Sequence, residues 1–178
     1  MDQPTDWKAL FKSRSVWGLT ITYFFHNYLW YLYMSWLPSY LVMARGFSLM
    51  KIGLFTMIPY FCAGITILLG GYLSDSWAKK YGLNIGRRVP IVIGFGGCGV
   101  FLILATHTPN AYVAVVYISA SMGFLLLNNG AFWSTPINLS PKYSGVITGM
   151  MNTSGNIAGI CAPTITGVLV TLYHNKFE

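Results

Sequence analysis

The sequence predicts an all-α membrane protein, a bundle of five transmembrane helices. Hydrophobic residues make up 54% of the chain and charged residues only 8%, where soluble domains carry about 25% charge. Mean hydropathy is +0.55. From Val89 to Pro141 there is no Asp, Glu, Lys or Arg at all. Uncharged intervals of the roughly 20 residues that a spanning helix needs recur along the whole chain. A soluble helical core is the alternative. It is disfavoured because core helices of soluble proteins are regularly interrupted by charge on their outer face.

The expected spans lie at about 15–44, 52–74, 89–106, 111–136 and 143–173. Residues 1–14 are polar and lack an apolar stretch with a small-residue cleavage site, so no cleavable signal is expected. Span one then serves as its own insertion signal. It is rich in aromatic residues, too many and too central for all to be interfacial belt. Pro38 is expected to kink it or end its regular hydrogen bonding, and Arg45-Gly46 closes it. Span two contains Pro59 and ends in Gly70-Gly71-Tyr72-Leu73-Ser74-Asp75. Span three holds Gly94, Gly96, Gly97 and Gly99, tolerable where a neighbour must approach closely. Span four follows His107-Thr108-Pro109-Asn110 and ends in Asn128 to Pro136. Span five carries Gly145-x-x-x-Gly149 and Gly155-x-x-x-Gly159, both suited to close helix packing.

The charges set the topology. Lys8, Lys12 and Arg14 precede span one, Lys79, Lys80, Arg87 and Arg88 lie between spans two and three, and Lys142 lies between spans four and five. Arg45, Lys51 and Lys176 fall on the other side. The positive-inside rule places the N-terminus and the 75–88 loop in the cytoplasm. The net charge of +7 is thus a topology signal and implies no nucleic-acid partner. Cys62, Cys98 and Cys161 have no metal-ligand spacing and read as small core residues.

Polar residues inside spans are costly and are therefore candidates for function. In span one, Tyr23, Asn27, Trp30 and Met34 share one helix face. Asn27 suits a substrate hydroxyl or a bond to a neighbouring helix, and Tyr23 and Trp30 suit a carbon skeleton or simple packing. His26 stands one position off, either titrating or neutral and hydrogen-bonded. In span four, Asn129 and Trp133 are spaced i, i+4. Trp133 with Thr135 suits a hydroxylated anion, or else Trp133 is an interfacial anchor. In span five, Thr148, Asn152 and Asn156 form a polar stripe that should face a cavity or another helix. Asn152 is the favoured substrate contact there, and Asn156 is a contact or an interhelical bond.

Gly71-Tyr72-Leu73-Ser74-Asp75, followed by Lys79-Lys80 and Arg87-Arg88, resembles the cytoplasmic loop motif of the major facilitator superfamily, G-x-L-(A/S)-D and then a basic pair. The spacer here is longer than in the commonest version. Asp75 can pair with a nearby Arg or Lys, or with the positive end of a helix. Gly71, Asp75, Arg87 and Arg88 are thus a candidate conformational latch; an ordinary solvated acid is the alternative for Asp75. Trp36-Leu37-Pro38-Ser39-Tyr40-Leu41 looks like a signature of the anion:cation symporter family within that superfamily. Ser140-Pro141-Lys142, Gly145, Gly149, Met151 to Asn156 and Pro163 look like the same family's penultimate helix.

The resemblance implies a partial C-terminal major facilitator bundle, equivalent to helices seven to eleven of twelve, with residues 1–14 ending the central cytoplasmic loop. It implies a multi-pass protein of the plasma (inner) membrane. It also implies proton-coupled symport of a small organic anion, a sugar acid or similar carboxylate, by alternating access. The acidic proton-coupling residues and an anion-binding arginine are then expected on an N-terminal half supplied in cis or in trans. The chain's own acids, Asp2, Asp6, Asp75 and Glu178, all lie outside mid-membrane positions. A truncated or split subunit with a structural or regulatory role and no transport of its own is the alternative function. An enzyme is not expected: the only histidines are His26, His107 and His174, and no convergent nucleophile or metal set accompanies them. No cofactor and no metal are expected. The expected partners are the anion, protons and the lipid bilayer.

Overall fold

The computed structural model describes residues 7–174, without the side chains of residues 7–9, 49, 173 and 174. Asp2, Asp6, Lys176 and Glu178 lie outside the described residues, as does the side chain of Lys8. Every regular element among the described residues is helical: α1 (Trp7–Lys12), α2 (Arg14–Met43), α3 (Leu49–Tyr81), α4 (Leu83–His107), α5 (Ala111–Leu126), α6 (Asn129–Leu139) and α7 (Ser144–His174). The protein is an all-α, multi-pass membrane bundle.

The helices are as long as a bilayer requires. Met50–Tyr81, Leu83–His107, Ala111–Leu139 and Ser144–Leu172 are each long and apolar enough to cross. Helix α2, at 30 residues, is roughly 45 Å long, and its Tyr, Trp, His26 and Asn27 content lowers its hydropathy. Within lipid the backbone must satisfy its own hydrogen bonds, which a continuous helix does.

Local sequence explains the helix ends. The Ser13 hydroxyl accepts from Val16 N–H and starts α2. Asn110 Oδ1 accepts from Tyr112 and Val113 N–H at 2.9 and 3.3 Å and starts α5. At the end of α2, Gly46 takes a φ of 66°, a region L-residues avoid. That turn lets Phe47 N–H reach the Leu41 carbonyl at 3.0 Å. Arg45 then closes this end of the helix. It donates to Tyr40 Oη at 2.7 Å and to the Thr108 and Ala105 carbonyls at 2.7 and 2.6 Å, a cation on the negative C-terminal end of α4.

Pro38 lies inside α2, which continues to Met43. Three expectations are corrected. The 75–88 segment is not a loop: α3 runs on to Tyr81, and Gly82 at φ 88° is the whole connection to α4. Charge there marks the exit from the membrane, but no helix breaker occurs before Gly82. Span four is not one helix; it breaks at Leu127-Asn128 into α5 and α6. Among the described residues Gly145 and Gly149 make no close helix contact, since a Cβ on either would meet no atom within 4 Å.

The main helix contacts are α2 with α7, α4 with α5, and α3 with α5. Two apolar clusters result. One gathers Tyr33, Leu37, Leu41, Ile118, Met122 and Leu125 between α2 and α5. The other gathers Leu10, Val16, Tyr23, Phe132, Ile147 and Met151 where α1, α2, α6 and α7 meet. In the first, the buried Tyr33 hydroxyl lies 2.6 Å from Ser121 Oγ, and that hydroxyl donates to the Cys98 carbonyl at 2.6 Å. This chain ties α2, α5 and α4 together and leaves neither hydroxyl unsatisfied in lipid.

Candidate functional site

The turn end of the α3–α4 hairpin is built on close backbone contact. A Cβ on Gly86 would run into the backbone of Ala78, so only glycine lets the two helices approach so closely there. Fully buried Ser74 donates its hydroxyl to the Gly86 carbonyl at 2.8 Å. This places Arg87 beside Asp75. Arg87 Nη1 donates to Asp75 Oδ1 at 2.8 Å and to Ser74 Oγ at 2.7 Å. Its Nε donates to Asn138 Oδ1 of α6 at 2.9 Å. The Arg87 side chain is 13% exposed and that of Asp75 is 60% exposed. Charge-assisted, multi-partner bonding is what a guanidinium does best. Arg88, Lys79 and Lys80 are exposed.

Gly71 serves a different contact. Gly70 and Gly71 lie against the α5–α6 break: a Cβ on Gly70 would strike the Leu127 carbonyl, and one on Gly130 would strike the backbone of Gly71. Asn128, at the break itself, is fully buried against Gly94, with neither amide atom bonded.

The sequence-derived binding residues divide into smaller groups. Tyr23 is buried and meets the rings of Phe132 at 5.2 Å and Trp133 at 6.3 Å, both edge-on, while stacking on His26 at 5.8 Å. The side chain of Asn129 lies near the buried His26 ring, whose Nδ1 has no hydrogen-bond partner among the described residues. Helices α2 and α6 thus bring together Tyr23, His26, Asn129 and Trp133. Asn27 is half-buried and donates to the Tyr23 carbonyl at 3.0 Å. Its amide packs on Gly155 of α7, where a Cβ would come within 3.1 Å of it. Trp30 turns to α3 and meets Tyr60 edge-on at 5.9 Å. Asn152 is half-buried and Asn156 exposed. Trp133 is 48% exposed and Met34 57% exposed.

A cavity of about 770 Å³ lies elsewhere: between the N-terminal ends of α2 and α4 and the C-terminal end of α6. Arg14, Asn84, Arg87, Arg88, Thr135 and Asn138 are among its lining. None of Tyr23, Asn27, Trp30, Asn129, Trp133, Asn152 and Asn156 lines it. Asn138 is the polar anchor that sequence reasoning missed; Ser74 stood in the quoted motif and Arg45 at the end of span one, but without their partners. Nothing in the spacing of Asn138 marks it; its partner is set by the helix break. Among the described residues no group of His, Cys, Asp and Glu could hold a metal ion.

Known proteins share this arrangement of sequence. A probable sulfoacetate transporter of Cupriavidus necator is 38% identical over 167 residues, 93% of this chain and 38% of that protein. A probable galactarate/D-glucarate transporter of Bacillus subtilis is 35% identical over 167 residues, 92% of this chain and 36% of that protein. A chloroplastic ascorbate transporter of Arabidopsis thaliana is 29% identical over 166 residues, 92% of this chain and 30% of that protein. The chain therefore spans between three and four tenths of the length of these relatives. Residues 2–163 match the Major Facilitator Superfamily. The chain belongs to the Major Facilitator Superfamily, a family of transporters and not of enzymes.

Proposed function

We propose that this chain forms the C-terminal half of a secondary transporter that moves a small organic anion, a sugar acid or a similar carboxylate, by alternating access. The observation that carries the reading is the meeting of Tyr23 and Trp133. Two rings with polar edges come together from α2 and α6, with the amides of Asn27 and Asn129 beside them. Such groups are costly inside a bilayer unless they face a cavity or a partner. Rings pack on a short carbon skeleton, while amides and the indole N–H bond its hydroxyl and carboxylate oxygens. Transporter sites of this kind lie near mid-membrane between two halves. Asn152 and Asn156 of α7, and Trp30 of α2, are assigned to the substrate path as part of the same proposal. The names of the sulfoacetate and glucarate relatives support an organic anion as cargo.

Proton coupling belongs to the same proposal. Asp75 is the only acid among the described residues, and it sits at the cytoplasmic end of α3. A mid-membrane proton carrier then comes from the N-terminal half, in cis or in trans. Gly71, Asp75, Arg87 and Arg88 act as the cytoplasmic latch. The setting is the plasma (inner) membrane with the N-terminus in the cytoplasm, supported by the basic residues at the starts of α2 and α4.

Uptake of labelled glucarate and sulfoacetate tests this, in cells carrying the longest reading frame that contains this chain. Uptake driven by an inward proton gradient is expected. Uptake driven by sodium instead would overturn the coupling but keep the cargo. No uptake of any organic acid would overturn the reading and leave a structural or regulatory subunit.

A further inference from the structure

We propose that Asn138 is a positioning residue: through Arg87 it couples the Asp75 latch to α6, the short helix that carries Asn129, Phe132 and Trp133. The inference deepens the transport reading and rests on it for its consequence.

Helix α6 has few ties of its own. It begins after the break at Leu127-Asn128, and its N-cap residue Asn128 makes no capping bond. Pro136 lies inside it and cannot donate to the carbonyl one turn back. Its position therefore depends on neighbours. At one end Gly130 rests on the backbone of Gly71. At the other, Asn138 Oδ1 accepts from Arg87 Nε at 2.9 Å. Both ends are thus referred to the same stretch of α3, Gly71 to Asp75. The upper contact is steric and does not depend on charge. The lower one depends on where Arg87 sits, and Asp75 and Ser74 hold Arg87 there through Nη1.

The guanidinium makes this coupling possible. Its Nε and Nη1 donors point in different directions, so one side chain bridges α3 and α6 while remaining a single charge. Loss of the Asp75 bond leaves Arg87 held at Nη1 by Ser74 alone and so loosens the lower end of α6, while Gly130 on Gly71 remains as a fulcrum. Phe132 and Trp133, which pack on Tyr23, lie between the two ends. A rearrangement at the cytoplasmic latch then reaches the rings proposed to bind substrate.

Hydrogen exchange followed by mass spectrometry, on the whole chain in lipid nanodiscs without substrate, tests the coupling. Asn138→Ala should lower protection within 132–139 about tenfold, the size of one hydrogen bond to a charged group, and leave α5 and α7 unchanged. Asn138→Asp should keep or raise that protection. Arg87→Lys retains the charge beside Asp75 but loses the Nε donor, and should reproduce Asn138→Ala. Asp75→Asn should loosen α6 in the native background and add nothing when Asn138 is already Ala. Unchanged protection in Asn138→Ala, additive effects of the two substitutions, or loosening spread equally over α5, α6 and α7 would each overturn the proposal. The readout needs no cargo, so failure of the coupling and failure of the transport reading are told apart.

Discussion

Gly70 of α3 lies against the carbonyl of Leu127, so close that a single added methyl group has no room. Its neighbour Gly71 has open space where its own Cβ would be, and instead receives Gly130 on its backbone. Adjacent glycines thus do opposite things. Gly70→Ala must push the α5–α6 break away from α3, with backbone as the immovable partner. It should cost about 1–3 kcal/mol, the usual range for overpacking. Gly71→Ala should be near neutral or gain up to about 1 kcal/mol in helix propensity. Thermal unfolding of the two variants in lipid nanodiscs checks this, and equal losses would contradict the geometry.

The same contrast runs along α7. Gly155 and Gly159 accept Tyr23, Asn27 and Tyr31 of α2, with a Cβ at Gly155 coming to 3.0 Å from the Tyr23 ring. Gly145 and Gly149 meet nothing. Gly149→Ala should therefore leave the melting temperature unchanged or raised. Gly155→Leu should lower it, at an expected cost of about 1–3 kcal/mol. A destabilising Gly149→Ala would mean that this face is covered by another body.

Much of the fold could be read from charge and apolar length, because a bilayer demands long uninterrupted helices. Asn110 and Gly46 also punctuate the chain as residues of their type do. The break at Leu127-Asn128 was passed over although Asn128-Asn129-Gly130 is a turn-forming run, because the uncharged stretch 111–136 is as long as one membrane span. The glycine spacings revealed periodicity but not partners: Gly145 and Gly155 have the same spacing pattern, and only Gly155 meets another helix. Tyr23, Asn27 and Trp30 were expected on one face. They share it, but that face is wide enough to touch α7 and α6 through Tyr23 and α3 through Trp30. Asn138 could not have been found at all, because its role depends on where α4 places Arg87.

The latch has unequal partners. The Asp75 side chain is 60% exposed, and an ion pair so open to solvent adds little stability. Asp75→Asn should cost under about 1 kcal/mol. Arg87→Ala strips bonds from Ser74, Asp75 and Asn138 at once, and should cost about 2 kcal/mol or more. Chemical unfolding of both variants would show the difference. A larger loss from Asp75→Asn would imply a contact for the carboxylate beyond Arg87.

Arg45 braces the C-terminal end of α2 by three hydrogen bonds of 2.6 to 2.7 Å. Two of them end on backbone carbonyls at the C-terminal end of α4. A lysine carries the charge but cannot present the fork. Arg45→Lys should therefore recover only part of the roughly 1.5–3 kcal/mol expected for bonds to a charged group, and Arg45→Ala none of it. Thermal unfolding ranks the three proteins, and a lysine variant equal to the native protein would reduce the clasp to its charge.

Trp133 distinguishes binding from packing. Its ring is 48% exposed, yet it touches buried Tyr23 edge-on at 6.3 Å. A packing residue this exposed contributes little, so Trp133→Ala should change stability by no more than about 1 kcal/mol. A residue that stacks on cargo behaves differently. Trp133→Ala should raise the KM for uptake about tenfold, and Trp133→Phe, which keeps a ring but loses the N–H, should fall between. Tyr23→Phe, altering a 6%-exposed residue, should leave the KM within about twofold if its ring rather than its hydroxyl is what supports Trp133. Uptake kinetics in cells carrying the longest reading frame, with protein abundance measured alongside, separate the cases. A Trp133→Ala variant that loses abundance and maximal rate at constant KM would make Trp133 a strut of the bundle, and the substrate surface would then have to be sought around Asn152 on α7.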